Sequence, residues 1–266
     1  MKRVLFAAVI AALSLGFMDP SLAQRRARTA NAPPPGPVPR NAEGRALLGG
    51  ATPNVKGVWT PRFGITDPIK PTDDTPYLPW AKAQFIARQS AQLEPHTRCK
   101  PSGSAREFLT PYGVEMDEFP QIKRIYFFDI GGPHTFRTIY MDGRSHPRNY
   151  VHTYYGHSIG WWEGDTLVVD TVGYNEAFWM DRRGMPHTDQ MHTVERFTRA
   201  DSETMKYEIT VDDPGAYSKP WTTSFNLRWE NGTELYEYVC QEANQAVTLM
   251  VGQHNTSVDR TSAIAP

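Results

Sequence analysis

Hydrophobic and polar residues alternate through most of the second half of the chain. Met205, Tyr207, Ile209 and Val211 fall on one side of an extended segment, and Lys206, Glu208 and Thr210 on the other. Trp221, Thr223, Phe225, Leu227 and Trp229 likewise oppose Thr222, Ser224, Asn226 and Arg228. Side chains along a strand point alternately to opposite faces, so each segment predicts a strand with one dry and one wet face. Arg124–Phe128, Phe136–Tyr140, His157–Trp162, Leu167–Val172 and Val194–Arg199 read the same way, and Gly57–Thr60 is the first strand. Turn chemistry separates them: Gly131-Gly132-Pro133, Glu163-Gly164-Asp165, Asp201-Ser202-Glu203 and Asn231-Gly232. The Asn-Gly pair predicts a tight hairpin into Leu235–Cys240, with Val247–Val251 as a last strand. One amphipathic helix is expected over Trp80–Leu93, with Trp80, Ala83, Phe85, Ile86, Ala87 and Leu93 on one side, packed against the sheet, and Glu94-Pro95 ending it.

Consecutive hairpins that manage their edges close as a barrel or stack as a β-sandwich. Without an obvious long Greek-key connection, the expected fold is all-β: an antiparallel, lipocalin-like up-and-down barrel carrying one N-terminal helix. A β-sandwich is the alternative.

The ends add a compartment. Lys2 and Arg3, the apolar run Val4–Phe17 and the small residues Ser21 and Ala23 read as a signal peptide over residues 1–23. The apolar run is shorter than the roughly 20 residues a bilayer span needs, so no stable membrane span is expected. Residues 24–53, rich in Pro, Ala and Arg, predict a disordered or extended lead-in, and 54–266 a single β-rich domain. The expected location is periplasmic or secreted. Cys99 and Cys240 are the only two cysteines, which in an exported chain favours a disulfide between them. The formal net charge of −1 lacks the basic face that nucleic acid requires, leaving a small molecule as the expected partner.

Candidate chemistry concentrates in His187-x-Asp189-x-x-His192-x-x-Glu195. On a strand starting near Met191, His192, Val194 and Arg196 share one side and Thr193, Glu195 and Phe197 the other. His192 and Glu195 then diverge, so no local metal motif is expected, and no cofactor. The acid–base reading uses His187 or His192, oriented by Asp189 or Asp170, with Arg196 or Arg144 holding an anion or enolate. His134, His146, His152 and His157 lie beside the first hairpins and could join such a site. The ring supply around them suggests a ligand cavity, with Arg144, His146, His157, Trp161, Tyr174, Trp179 and Tyr217 as ligand-binding candidates. Serine hydrolysis lacks its G-x-S-x-G elbow.

Lys56–Trp59, Ile139–Pro147, Gly160–Thr171 and Asp213–Trp221 resemble a large family of exported, mostly uncharacterised bacterial proteins with a GxWEGDTLVVDT-type hairpin. The resemblance implies a bacterial envelope protein and implies no reaction. Three functions follow as expectations. The first is a periplasmic barrel binding a hydrophobic or aromatic metabolite. The second is a metal-independent lyase or isomerase with a His/Asp pair in the barrel cavity. The third is a carbohydrate-recognising sandwich.

Overall fold

Alternation carried through successive strands closes the chain on itself. The computed structural model describes residues 34–50, 52, 55–62, 74–91, 94–110, 112–131, 133–237 and 240. Within them nine strands form one closed barrel in sequence order. They are β1 (Gly57–Pro61), β2 (Val114–Phe119), β3 (Arg124–Asp129), β4 (Thr135–Tyr140), β5 (His157–Glu163), β6 (Thr166–Val172), β7 (His192–Arg199), β8 (Thr204–Asp212) and β9 (Trp221–Asn231). The expected barrel is therefore formed, and the sandwich is not.

Two features depart from a simple meander. β5 runs parallel to β4, because residues 141–156 carry the chain round before it re-enters the sheet. That pairing has only the partners Ile139↔Ser158 and Tyr140↔Ile159, whereas β5 and β6 pair from His157↔Val172 to Glu163↔Thr166. The barrel is mixed, and the expectation of antiparallel strands throughout is corrected.

The second departure is at Asn231-Gly232. Gly232 turns with φ +80, but residues 233–237 form no strand. The free side of β9 is already taken by β1, from Gly57↔Asn231 to Pro61↔Leu227, so a returning strand has no edge to join. The chain leads instead to Cys240, which is bonded to Cys99 with 5.5 Å between their Cα atoms. The expected strand Val247–Val251 lies outside the described residues.

The lumen is filled. Phe108 enters from the turn after the short helix α2 (Ser104–Glu107; the longer α1 spans Pro79–Ala91) and meets Phe127, Phe197 and Tyr207 at ring-centroid distances of 6.0, 5.4 and 4.9 Å. All four rings are buried. Fully burying such a ring contributes roughly 1.5–3 kcal/mol each, so this cluster is a main source of stability. Beside it lies a buried polar network. Arg137 on β4 donates to Ser158 Oγ at 3.0 Å, Thr171 Oγ1 at 2.8 Å, Glu107 Oε1 at 3.2 Å and Glu195 Oε2. Tyr207 donates its hydroxyl to Glu195 Oε1 at 2.9 Å.

Helix α1 covers one end of the barrel, but its inward face differs from the expected one. Ala81 is buried and Phe85 stacks on Tyr77, while Trp80 and Ile86 are 46% and 58% exposed. Tertiary partners decide the rotation: Arg88 reaches Gly184 O at 3.2 Å and lies over the Trp179 ring. At the other end, part of the stretch read as a lead-in is built into the barrel. Ala46 and Leu48 are buried, Leu48 O accepts the Trp59 indole N–H at 2.7 Å, and Arg199 donates to Leu47 O at 2.8 Å. Among the described residues no helix is long and apolar enough to cross a membrane.

Candidate functional site

Three adjacent strands each carry a two-residue unit whose members face opposite ways. On β5 the unit is His157-Ser158, on β6 Asp170-Thr171 and on β7 His192-Thr193. Ser158, Thr171 and Thr193 are buried, while His157, Asp170 and His192 are half-buried on the outside. Register sets their spacing: Asp170 pairs with Ile159 on one side and Val194 on the other, making His157 and His192 its diagonal neighbours. Gly156 positions the first unit. At φ +61, with Val172 O only 2.4 Å from where a Cβ would sit, only glycine fits.

His146, from the β4–β5 connection, completes a chain. His146 Nδ1 is 2.8 Å from His157 Nδ1, and His146 Nε2 is 3.0 Å from Asp170 Oδ1. His192 Nε2 reaches the same Asp170 oxygen at 2.9 Å. A carboxylate only accepts, so both Nε2 atoms carry protons. In the tautomer that leaves His146 Nδ1 without a proton, that atom accepts the proton of His157 Nδ1–H. The basic nitrogen of His157 is consequently Nε2, which has no partner among the described residues.

Burial raises the Asp170 carboxyl, but hydrogen bonds from His192 and His146 outweigh it and hold the group below the usual range. The bond to Asp170 raises His192. Burial lowers His157, and the nearby Arg144 charge lowers it further, which favours its neutral form.

His157 also lines a groove. Where β4 and β5 part beyond their short pairing, an opening of about 410 Å3 is bounded by Pro101, Phe136, Tyr140, Tyr154, Tyr155 and His157, among others. Its volume lies within the range of small-molecule sites, roughly 300–1,000 Å3. The Tyr140 ring stacks on His157 with centroids 5.0 Å apart. Tyr155 is fixed from behind, donating its hydroxyl to buried Asp129 at 2.9 Å. A second groove of about 400 Å3 opens between β1 and β2, lined by Lys56, Glu115, Asp117 and Trp229 among others. No histidine lines it.

The expected site residues divide among separate places. His146, His157 and His192 converge on Asp170. His187, Asp189, His192 and Arg196 do not form one constellation. His187 is buried, bonded through Nε2 to Asn175 O at 2.8 Å and packed on Phe178. Asp189 is exposed, its backbone N–H directed to Glu176. Arg196 pairs with Glu163 at 2.6 Å on the outer face, where Trp161 donates to the same carboxylate at 3.0 Å. Arg144 pairs with Asp142 beside Tyr140. Tyr174 is in the core, bonded to Ser104 and Thr193. Trp179 and Tyr217 are buried under α1, where Tyr217 donates to Pro186 O at 2.7 Å. Sequence reasoning missed Tyr140, whose place in the groove depends on the split between β4 and β5. It placed His192 and Glu195 on opposite faces of the strand, as they are, but gave no sign of Glu195's partner Arg137.

The buried His187 yields a pH prediction. Burial lowers its pKa to about 4, against about 6.5 when unfolded. The unfolded chain therefore binds the extra proton between those values, and this contribution to stability is lost as pH falls through the window. From pH 7 to pH 5 the loss amounts to about 2 kcal/mol. Asp129, raised to about 6 by burial, acts in the opposite direction over the same range. The test is thus a difference: urea unfolding of His187→Gln should show about 2 kcal/mol less acid destabilisation than wild type, and parallel pH curves would reject it.

The fold and site together define a mixed β-barrel with an imidazole–carboxylate relay on its outer face. Among the described residues no group of three or more His, Cys, Asp and Glu side chains is arranged to hold a metal ion. A scan of protein-family models and searches of curated proteins and solved structures find nothing that matches this chain.

Proposed function

We propose that the protein is an exported enzyme of the lyase or isomerase class that moves a proton on a small molecule bound in the β4–β5 groove, with His157 as general base. One observation carries this reading: His157 lines the groove while its Nδ1 is bonded through His146 to Asp170, and in the tautomer described above that leaves Nε2 as its basic nitrogen. His157 Nε2 takes a proton from a carbon next to a carbonyl, the C–H electron pair becomes a C=C bond and the carbonyl π pair moves onto oxygen, giving an enolate. The gained charge is shared along the hydrogen bonds to His146 and Asp170. Reprotonation at another carbon completes an isomerisation, and loss of a β-substituent completes an elimination. The lumen is filled by Phe108, Phe127, Phe197 and Tyr207, so we do not place a ligand along the axis in the lipocalin manner. Export to the periplasm belongs to the same proposal, supported by the signal-like N-terminus and the disulfide.

The test is hydrogen exchange in D2O. Wild-type protein is incubated with a panel of small α-acidic carbonyl compounds, including pyruvate and phenylpyruvate, and loss of the α-C–H signal is followed by NMR. Wild type should catalyse exchange for at least one member, and His157→Gln should be about 10²-fold slower or worse. Equal rates for the two proteins, no exchange across the panel, or ¹⁵N imidazole spectra placing the proton of neutral His157 on Nε2 would overturn the proposal.

A further inference from the structure

We infer that Arg124 forms an oxyanion-recognition point for this groove, so that its ligand is a small unsaturated or aromatic molecule ending in a carboxylate or phosphate. The inference rests on the groove being the ligand site, as proposed above. Arg124 on β3 is the register partner of Tyr140 on β4, and its guanidinium carbon lies 4.4 Å from the Tyr140 ring centroid. Arg144 approaches the same ring at 4.1 Å. The two cations differ in what they are committed to. Arg144 donates to Asp142 through Nε at 2.8 Å and again through Nη2. Arg124 donates only to the carbonyl of Ile122, at 3.4 Å, and has no ion-pair partner among the described residues.

Tyr140 connects this charge to the chemistry, since it lines the groove and stacks on His157. Arg124 and the His157 imidazole thus contact the same ring, at 4.4 and 5.0 Å from its centroid. The nearby carboxylates do not compete for Arg124: Asp142 is held by Arg144, and Asp170 by two imidazoles. Guanidinium presents paired N–H donors that match the two oxygens of a carboxylate or phosphate. Phe136, Tyr140 and Tyr154 supply rings for the ligand's flat body. Arg144 also depresses His157 electrostatically, as expected of a positive field that an incoming anion would neutralise.

Three probes of one shape test the inference: benzoate, phenyl phosphate and benzamide, each titrated into the full-length protein while the imidazole ¹H signals of His157 are followed by NMR. At least one anion should shift His157 saturably and bind about tenfold or more tighter than benzamide, and the tighter anion identifies the headgroup. Arg124→Gln should weaken that anion about tenfold and leave benzamide unchanged. Equal binding of anion and amide, no saturable shift with either anion, or an anion affinity unaffected by Arg124→Gln would overturn it. The two proposals fail separately. Anion binding without proton exchange removes the general base, and exchange without anion preference removes only this inference.

Discussion

Arg137→Met is expected to destabilise the protein by about 3–5 kcal/mol, the usual cost of removing one partner from a buried ion pair. Arg137 and Glu195 are both almost wholly buried. Glu107 shares the guanidinium from the other side, and burial raises its carboxyl well above the usual carboxylate range. Losing the guanidinium leaves the buried Glu195 carboxylate, its ion-pair partner, with a single side-chain donor, the Tyr207 hydroxyl. Ser158 and Thr171 lose a donor too, although they remain bonded to each other at 2.8 Å. The measurement is urea unfolding followed by tryptophan fluorescence. Arg137→Met/Glu195→Gln should be more stable than Arg137→Met alone, because the second change removes the stranded charge. A single variant within about 1 kcal/mol of wild type, or a double variant no better than the single, would show that the network contributes little.

Breaking the Cys99–Cys240 bond should have an effect of similar size for a different reason. The bond joins residues 141 positions apart, and a loop of that length restricts the unfolded chain by about 5 kcal/mol in the chain-entropy account. Cys99 has φ 56, a left-handed conformation that alanine would strain. Cys99→Asn/Cys240→Ser is the cleaner comparison, since asparagine tolerates that backbone. The variant and the reduced wild-type protein should both lose several kcal/mol in urea unfolding and agree with each other to about 1 kcal/mol. A loss below about 1 kcal/mol in both would mean that the bond only tethers a segment that separates without the barrel.

How much of this was legible in the sequence depended on distance along the chain. Strands β3 to β9 follow from local alternation, and in β7 His192 and Glu195 lie on opposite faces as the alternation predicts, His192 outside and Glu195 inside. Strand β2 was hidden because Glu115, Asp117 and Glu118 dominate its composition, although Val114 and Met116 do face inward. Strand direction is not written into a period of two, so the parallel β4–β5 pairing was invisible. The Asn231-Gly232 turn formed locally, but its hairpin failed because β1, the most distant strand, held the edge. The site followed the same rule. Its residue types were apparent, but the convergence of His146, His157 and His192 on Asp170 depends on register between strands that local pattern does not fix.

The paired units on β5, β6 and β7 have a consequence for how precisely the relay can be held. Each outward member is one peptide from a buried neighbour: Ser158 and Thr171 are fastened to the Arg137 guanidinium, and Thr193 to Tyr174. The core thus acts as a mounting plate for the surface chemistry, with every bolt passing through a single peptide unit. A slip of one residue in any of these strands would put an imidazole or carboxylate into the core and a hydroxyl outside. Only His146, delivered by the connection 141–156, is free of that constraint, so the middle of the relay is the one part that could be retuned without disturbing the barrel.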